Sequence, residues 1–220
     1  MNNAQTPRQQ ASLAILRAAG VLPVVTAKSV NEAVQIAEAL ARGGLTAIEL
    51  TLRTPAAMEA ISALKKAVPQ LSLGAGTVTS LAQAHEAADR GADFLVTPGT
   101  PVALAEGLAK MTLPVVPGSA TPSEIIMLMS LGFQAVKLFP AVSVGGIAMI
   151  KSLAGPFPDL HICPTGGIGE NDAATYLALP NVPCIGGSWM VANEWIKAGN
   201  FAAVETSARR VRTMLDGLKA

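Results

Sequence analysis

Charge is scarce in this chain. Only 14% of its 220 residues are Asp, Glu, Lys or Arg, against about 25% in an average soluble domain. The formal net charge is +1, which gives no electrostatic case for binding nucleic acid or an anionic membrane. No apolar run approaches the ~20 residues that span a bilayer. The opening MNNAQTPRQQ lacks the apolar core of a signal peptide. Cysteine appears twice, at Cys163 and Cys184, too few for a disulfide framework or a zinc cluster. A cytoplasmic protein is expected.

Half the residues are hydrophobic, enough for a large core and for surface hidden in an oligomer. Short β-branched runs alternate with alanine- and leucine-rich helical patterns along the whole chain. A leading helix over 8–19 precedes strand 21–25. Helix 29–42, strand 46–52, helix 55–67, strand 71–76, helix 79–90 and strand 93–97 follow. Then come helix 100–110, strand 113–116, helix 121–131, strand 134–139, helix 144–154, strand 160–163, helix 170–179, strand 182–185 and a final helical stretch. Such alternation implies a parallel sheet, and eight units can close into a (β/α)8 TIM barrel. No linker or low-complexity tract interrupts it, so a single domain over 1–220 with an N-terminal helix is expected. The alternative is an open doubly wound sheet, but VVTAKS rather than GxGxxG follows the first strand.

Active sites of barrels lie at the C-terminal ends of the strands. Of eight lysines, only Lys137 falls within a strand; of fifteen carboxylates, only Glu49 lies well inside one. Strand side chains alternate between faces, so Glu49, Thr51 and Arg53 share one face, as do Lys137 and Phe139. Lys137 and Glu49 are thereby expected to point into the barrel together, the lysine kept for its amine. A buried salt bridge with no chemistry is the bland alternative.

Two glycine pairs, PTGGIGE (164–170) and IGGSW (185–189), follow the last two strands. Barrels bind phosphate there with backbone N–H groups, and Ser188 can add a hydroxyl. Ordinary tight turns would also use glycine. Thr77 ends strand three, where it can donate to a carboxylate beside Arg53, whose planar fork suits that anion. Pro98 ends strand four and shapes the wall. His85 and His161 lie away from the mouth and offer no metal cluster, which argues against a metal-dependent carbon–carbon lyase. Cys163 and Cys184 read as buried small hydrophobes.

With these residues in hand, the sequence resembles the bacterial 2-keto-3-deoxy-6-phosphogluconate (KDPG) aldolases. The resemblance rests on ELTLRT (49–54), GAGTV (74–78), TPG (97–99), PGSATPSE (117–124), KLFPA (137–141), CPTGGI (163–168) and IGGSW (185–189), in matching order along nearly the whole chain. It implies a class I aldolase, homotrimeric and free of metal or other cofactor. It implies that Lys137 forms a Schiff base with the keto carbon and that Glu49 is the general acid/base. Arg53 and Thr77 would hold the pyruvate carboxylate, and Gly166, Gly167 and Ser188 the phosphate. Pro98 and Phe139 would line the pocket. The products would be pyruvate and glyceraldehyde 3-phosphate, and 4-hydroxy-2-oxoglutarate a second substrate. Val142 departs from the glutamate common in relatives after FPA, which puts loop or subunit contacts in question. Two rivals stay open on the residues alone. One is a phosphate-binding isomerase or epimerase with Glu49 as base, the other a non-catalytic sugar-phosphate sensor.

Overall fold

The structure, a computed structural model, describes residues 7–218. Helix α1 (Pro7–Ala19) leads into β1 (Val21–Val25), α2 (Val30–Arg42), β2 (Ala47–Thr51), α3 (Ala57–Ala67), β3 (Ser72–Gly76), α4 (Leu81–Asp89), β4 (Phe94–Val96) and α5 (Val102–Leu108). Next come β5 (Val115–Val116), β6 (Gly118–Ser119), α6 (Pro122–Ser130), β7 (Ala135–Leu138), α7 (Gly146–Ala154), β8 (His161–Pro164), α8 (Glu170–Leu177) and β9 (Ile185–Gly187). A 3-10 turn (Trp189–Val191), α9 (Asn193–Lys197) and α10 (Phe201–Gly217) complete it.

The strand–helix order follows the expectation, with two corrections. The strand expected at 113–116 is short and resumes beyond Pro117 as β6, because proline has no N–H to donate to a ladder. The strand expected at 182–185 begins pairing only at Ile185, opposite Val21, and continues through Gly186 and Gly187. Those glycines are therefore strand, not loop. All pairings are parallel. They form a six-stranded sheet, β5-β4-β3-β2-β1-β9, and a three-stranded sheet, β6-β7-β8. Among the described residues, one isolated parallel bridge, Thr165 to Gly186, joins the end of β8 to β9. The fold is α/β with a curled parallel sheet.

Several helices start on sequence-encoded caps, whose side-chain oxygens satisfy otherwise orphaned N–H groups. The Ser29 hydroxyl accepts from Glu32 N at 3.1 Å. At α6, Thr121 and Glu124 make a reciprocal capping box. Backbone N–H donors from Ala120 and Thr121 hold the Glu124 carboxyl below its ordinary range, against a smaller opposing effect of burial.

Alternation along the strands divides the apolar side chains between two layers. Ile48, Leu50, Leu73, Val136 and Leu138 pack outward with Ile36, Leu40, Ile61 and Leu64 of the helices. Ala47, Phe94, Val96, Val116, Ala135, Cys163 and Cys184 form an inner cluster with Leu16 and Ala19 of α1. Leu16 is completely buried, and burying such a side chain stabilises by about 1.5–3 kcal/mol. Helix α1 thus closes the N-terminal end of the strands and leaves the C-terminal end for chemistry. No helix among the described residues is long and apolar enough to cross a membrane.

Candidate active site

The alternation that sends Ile48 and Leu50 outward turns Glu49 inward, and the same holds for Lys137 between Val136 and Leu138. Lys137 Nζ donates to Glu49 Oε1 at 2.9 Å and to Oε2 at 3.2 Å. The side chains are 3% and 1% exposed. Each charge is desolvated, so the partner is indispensable: removing one side of such a pair typically costs about 3–5 kcal/mol. Glycine makes the room. A Cβ on Gly76 would fall 2.4 Å from Glu49 Oε1. The Phe139 ring lies with its centroid 5.3 Å from Lys137 Nζ.

Beyond β2, exposed Arg53 donates through Nε to Thr77 Oγ1 at 3.1 Å. Thr77 has φ +60°, the one positive φ outside glycine among the described residues. A β-branched residue there is strained, and such strain gathers at functional sites.

Lys137, Phe139, Arg53, Thr165, Ser188 and the two glycine pairs enclose a cavity of about 130 Å³. Gly166 and Gly167 adopt φ +101° and +82°, conformations open to glycine, so their backbone can approach an anion closely. A second cavity, of about 530 Å³, adjoins the first across Val24, Arg53 and Ser188.

Of the residues expected from sequence, Lys137, Arg53, Phe139, Gly166, Gly167 and Ser188 surround the cavity. Glu49 joins through Lys137, and Thr77 through Arg53. Pro98 stands apart from that wall and packs against Gly118, where a Cβ would lie 2.5 Å from its carbonyl carbon. Thr165 and Val24 line the cavity without having been singled out. Thr165 lies just beyond β8 and immediately before a glycine pair, a signal that could have found it. Also missed was a closed ring of hydrogen bonds: Gly118 N donates to Thr97 Oγ1 (2.7 Å), Thr97 to Thr100 Oγ1 (2.7 Å), and Thr100 to Gly118 O (2.8 Å). It ties the end of β4 to the strand paired with Lys137.

The remaining ionisable groups are quieter. Burial pushes the Cys184 thiol up, with Cys163 and Glu49 adding to the effect, so it stays protonated and inert. Burial and Arg17 lower His161 against the pull of Asp159, at the opposite end of β8 from the cavity. Among the described residues, no three His, Cys, Asp or Glu side chains are grouped so as to hold a metal ion.

Fold and site together define an α/β enzyme. Over residues 13–207 the chain matches the KDPG and KHG aldolases, and it belongs to that family. The 2-dehydro-3-deoxy-phosphogluconate aldolase of Pseudomonas aeruginosa is 43% identical over 195 residues, 89% of each chain. A KDPG aldolase from Legionella pneumophila, solved with pyruvate captured at low pH as a covalent carbinolamine intermediate, superposes with a TM-score of 0.88. It is 40% identical and matches over 91% of this chain and 97% of its own. The 2-keto-3-deoxy-6-phosphogluconate aldolase of Zymomonas mobilis, solved with 3-phosphoglycerate, has a TM-score of 0.85. Its identity is 36%, with 91% and 94% covered.

Proposed function

We propose that this protein is a class I, Schiff-base aldolase that cleaves KDPG reversibly to pyruvate and glyceraldehyde 3-phosphate and also acts on 4-hydroxy-2-oxoglutarate. The buried Lys137–Glu49 pair beside the glycine-lined cavity carries the reading. The Legionella relative supports it, since a carbinolamine is the species that precedes an imine.

Glu49, 2.9 Å from the amine, takes its proton, and neutral Lys137 attacks C2 of the keto acid. Glu49 returns that proton to the carbinolamine hydroxyl, which leaves as water, so that a protonated imine and a free carboxylate remain. Glu49 then removes the C4 hydroxyl proton, the C3–C4 bond breaks, and its electron pair moves through C3 and C2 to the imine nitrogen. Glyceraldehyde 3-phosphate departs. The pyruvate enamine is protonated at C3 and hydrolysed. Arg53, steadied by Thr77, binds the carboxylate, and Gly166, Gly167 and Ser188 bind the phosphate. Phe139 and Pro98 shape the pocket. No resident metal or cofactor takes part.

In the same reading β5 and β6 are two halves of one barrel strand broken by Pro117. The Thr165–Gly186 bridge then completes a (β/α)8 barrel formed by the chain as a single domain. The protein is a cytoplasmic homotrimer, a state supported by large apolar side chains at the surface such as Val102 and Ile126.

Borohydride reduction with pyruvate, followed by peptide mass mapping, tests the chemistry. A reduced pyruvyl adduct on Lys137, absent in Lys137→Arg, is expected. Folded protein that gives no adduct overturns the reading in favour of an isomerase that never forms an imine.

A further inference from the structure

We infer that Thr97 and Thr100 are positioning residues for the Schiff-base lysine: their hydroxyls clamp β6 to the end of β4 and thereby set Lys137 against Glu49. The inference rests on the aldolase reading above. Glu49 belongs to the six-stranded sheet and Lys137 to the three-stranded one, yet the two side chains meet at 2.9 Å. That distance is only as well fixed as the seams between the sheets.

Backbone pairing runs out at the seam beside β4. The strand pairs with β5 as far as Val96 and Val116, and the next bond, from Thr97 N to Val116 O, is stretched to 3.4 Å. Pro117 then has no N–H to give. Pro117 O and Ser119 O turn toward β7, where they accept from Lys137 N at 2.8 Å and Phe139 N at 3.0 Å. The N–H and C=O of Gly118, between them, therefore turn the other way, toward β4. Buried backbone groups of this kind must find partners, and the two hydroxyls supply both. Gly118 N donates to Thr97 Oγ1, and Gly118 O accepts from Thr100 Oγ1. Because the Thr100 proton is committed to that carbonyl, Thr97 is the donor in the 2.7 Å contact between the hydroxyls. Two buried side chains thus replace one rung of a parallel ladder.

The rung lies beside the lysine. Gly118 is the register partner of Lys137, and such partners face the same side of a sheet. On that side the Thr97–Pro98 peptide takes the place of a Gly118 side chain: a Cβ would fall 2.5 Å from Thr97 O and from Pro98 C. The end of β4 is therefore held to β6 by contact as well as by hydrogen bonds, and β6 bonds β7 at Lys137 and again at Phe139. Removing a hydroxyl loosens β6, and Lys137 moves with it. A misplacement of about 1 Å can slow a reaction roughly 100-fold. Arg53 and Thr77 follow β2 and β3, strands of the six-stranded sheet, so the carboxylate site stays where it is. The clamp is expected to act on rate and to spare pyruvate binding.

The test measures the initial rate at which borohydride traps the pyruvyl adduct on Lys137, as a function of pyruvate concentration. It compares wild type, Thr97→Val, Thr97→Ser, Thr100→Val and the double variant of Thr97→Val with Thr100→Val. Ile61→Val, in the outer layer on α3, controls for lost stability, with a urea midpoint recorded for each protein. Thr97→Val should lower the maximal rate about tenfold, while the half-saturating pyruvate concentration stays within about twofold. Thr100→Val should match it, and the double variant should be little slower than either, since both changes break one ring. Thr97→Ser keeps the hydroxyl and should restore most of the rate. A full rate in Thr97→Val overturns the proposal, as does a Thr97→Ser as slow as Thr97→Val. So does Ile61→Val slowing in the same proportion, or a raised half-saturating concentration with an unchanged maximal rate. If Thr97→Val does not fold, Thr100→Val decides by the same criteria. Failure of trapping in wild type overturns the aldolase reading itself, whereas normal trapping in wild type and in both valine variants overturns the clamp alone.

Discussion

Gly76 stands so close to Glu49 that no side chain fits between them: a Cβ would lie 2.4 Å from Oε1 and 2.5 Å from Cγ. The two residues belong to neighbouring strands, β3 and β2, and the carboxylate that such a Cβ would crowd is the one that holds Lys137. Gly76→Ala must displace Glu49 from its seat. Cleavage of KDPG should fall by an order of magnitude or more in kcat, and borohydride trapping of pyruvate on Lys137 should slow with it, because the carboxylate that takes the amine's proton has moved. Overpacking should destabilise the variant by about 1–3 kcal/mol, read from urea midpoints.

Lys137 and Glu49 depend on each other for burial. Lys137→Met should cost about 3–5 kcal/mol by stranding the carboxylate. Adding Glu49→Leu should return most of that stability, because the stranded charge is gone, with activity still absent. A double variant as unstable as the single one would refute this account of the pair.

Thr77 separates strain from binding. Its φ of +60° costs about 1–3 kcal/mol, which Thr77→Gly relieves while adding about 0.4–1 kcal/mol of unfolded-state freedom. Thermal stability should hold or rise. The Arg53 Nε–H loses its acceptor, so KM for pyruvate should rise several-fold, more than kcat falls. Thr77→Ser keeps the hydroxyl and should retain the wild-type KM.

His161 sets one part of the acid response. Burial, then Arg17, hold it below its ordinary 6.5 in the folded chain. Between the folded value and 6.5 the unfolded state therefore binds more protons. Stability from this group is full above 6.5 and is lost as pH falls through that window. Urea midpoints measured from neutral pH downward should fall less steeply in His161→Gln than in wild type.

The catalytic candidates were legible because burial makes charge conspicuous. One lysine and one glutamate stood within strands, and a period of two put both on inner faces. Thr77 and Arg53 followed from strand ends. Pro98 was read as a wall residue from its place at a strand end, while the close approach of its backbone to Gly118, 20 residues away in sequence, is encoded by no periodicity. Thr165 and the Thr97–Thr100–Gly118 ring escaped for a related reason. Threonine is common in strands, and only the tertiary neighbour distinguishes a hydroxyl that clamps backbone from one that faces a cavity. The break at Pro117 was visible as a proline, yet the two residues of strand beyond it were too few to carry a pattern. Gly186 and Gly187 looked like loop because glycine weakens strands in isolation. Pairing with β1 overrides that preference.

The lysine and the carboxylate come from different sheets, Glu49 from the six-stranded one and Lys137 from the three-stranded one, 88 residues apart. Neither sheet contains a functional half. A fragment ending anywhere between them is inert however well it folds, and two such fragments recover activity only by docking. During refolding, Schiff-base competence is therefore a late event, appearing after secondary structure and reporting the union of the two sheets. An imine-trapping time course then serves as a clock for tertiary assembly, independent of any optical probe.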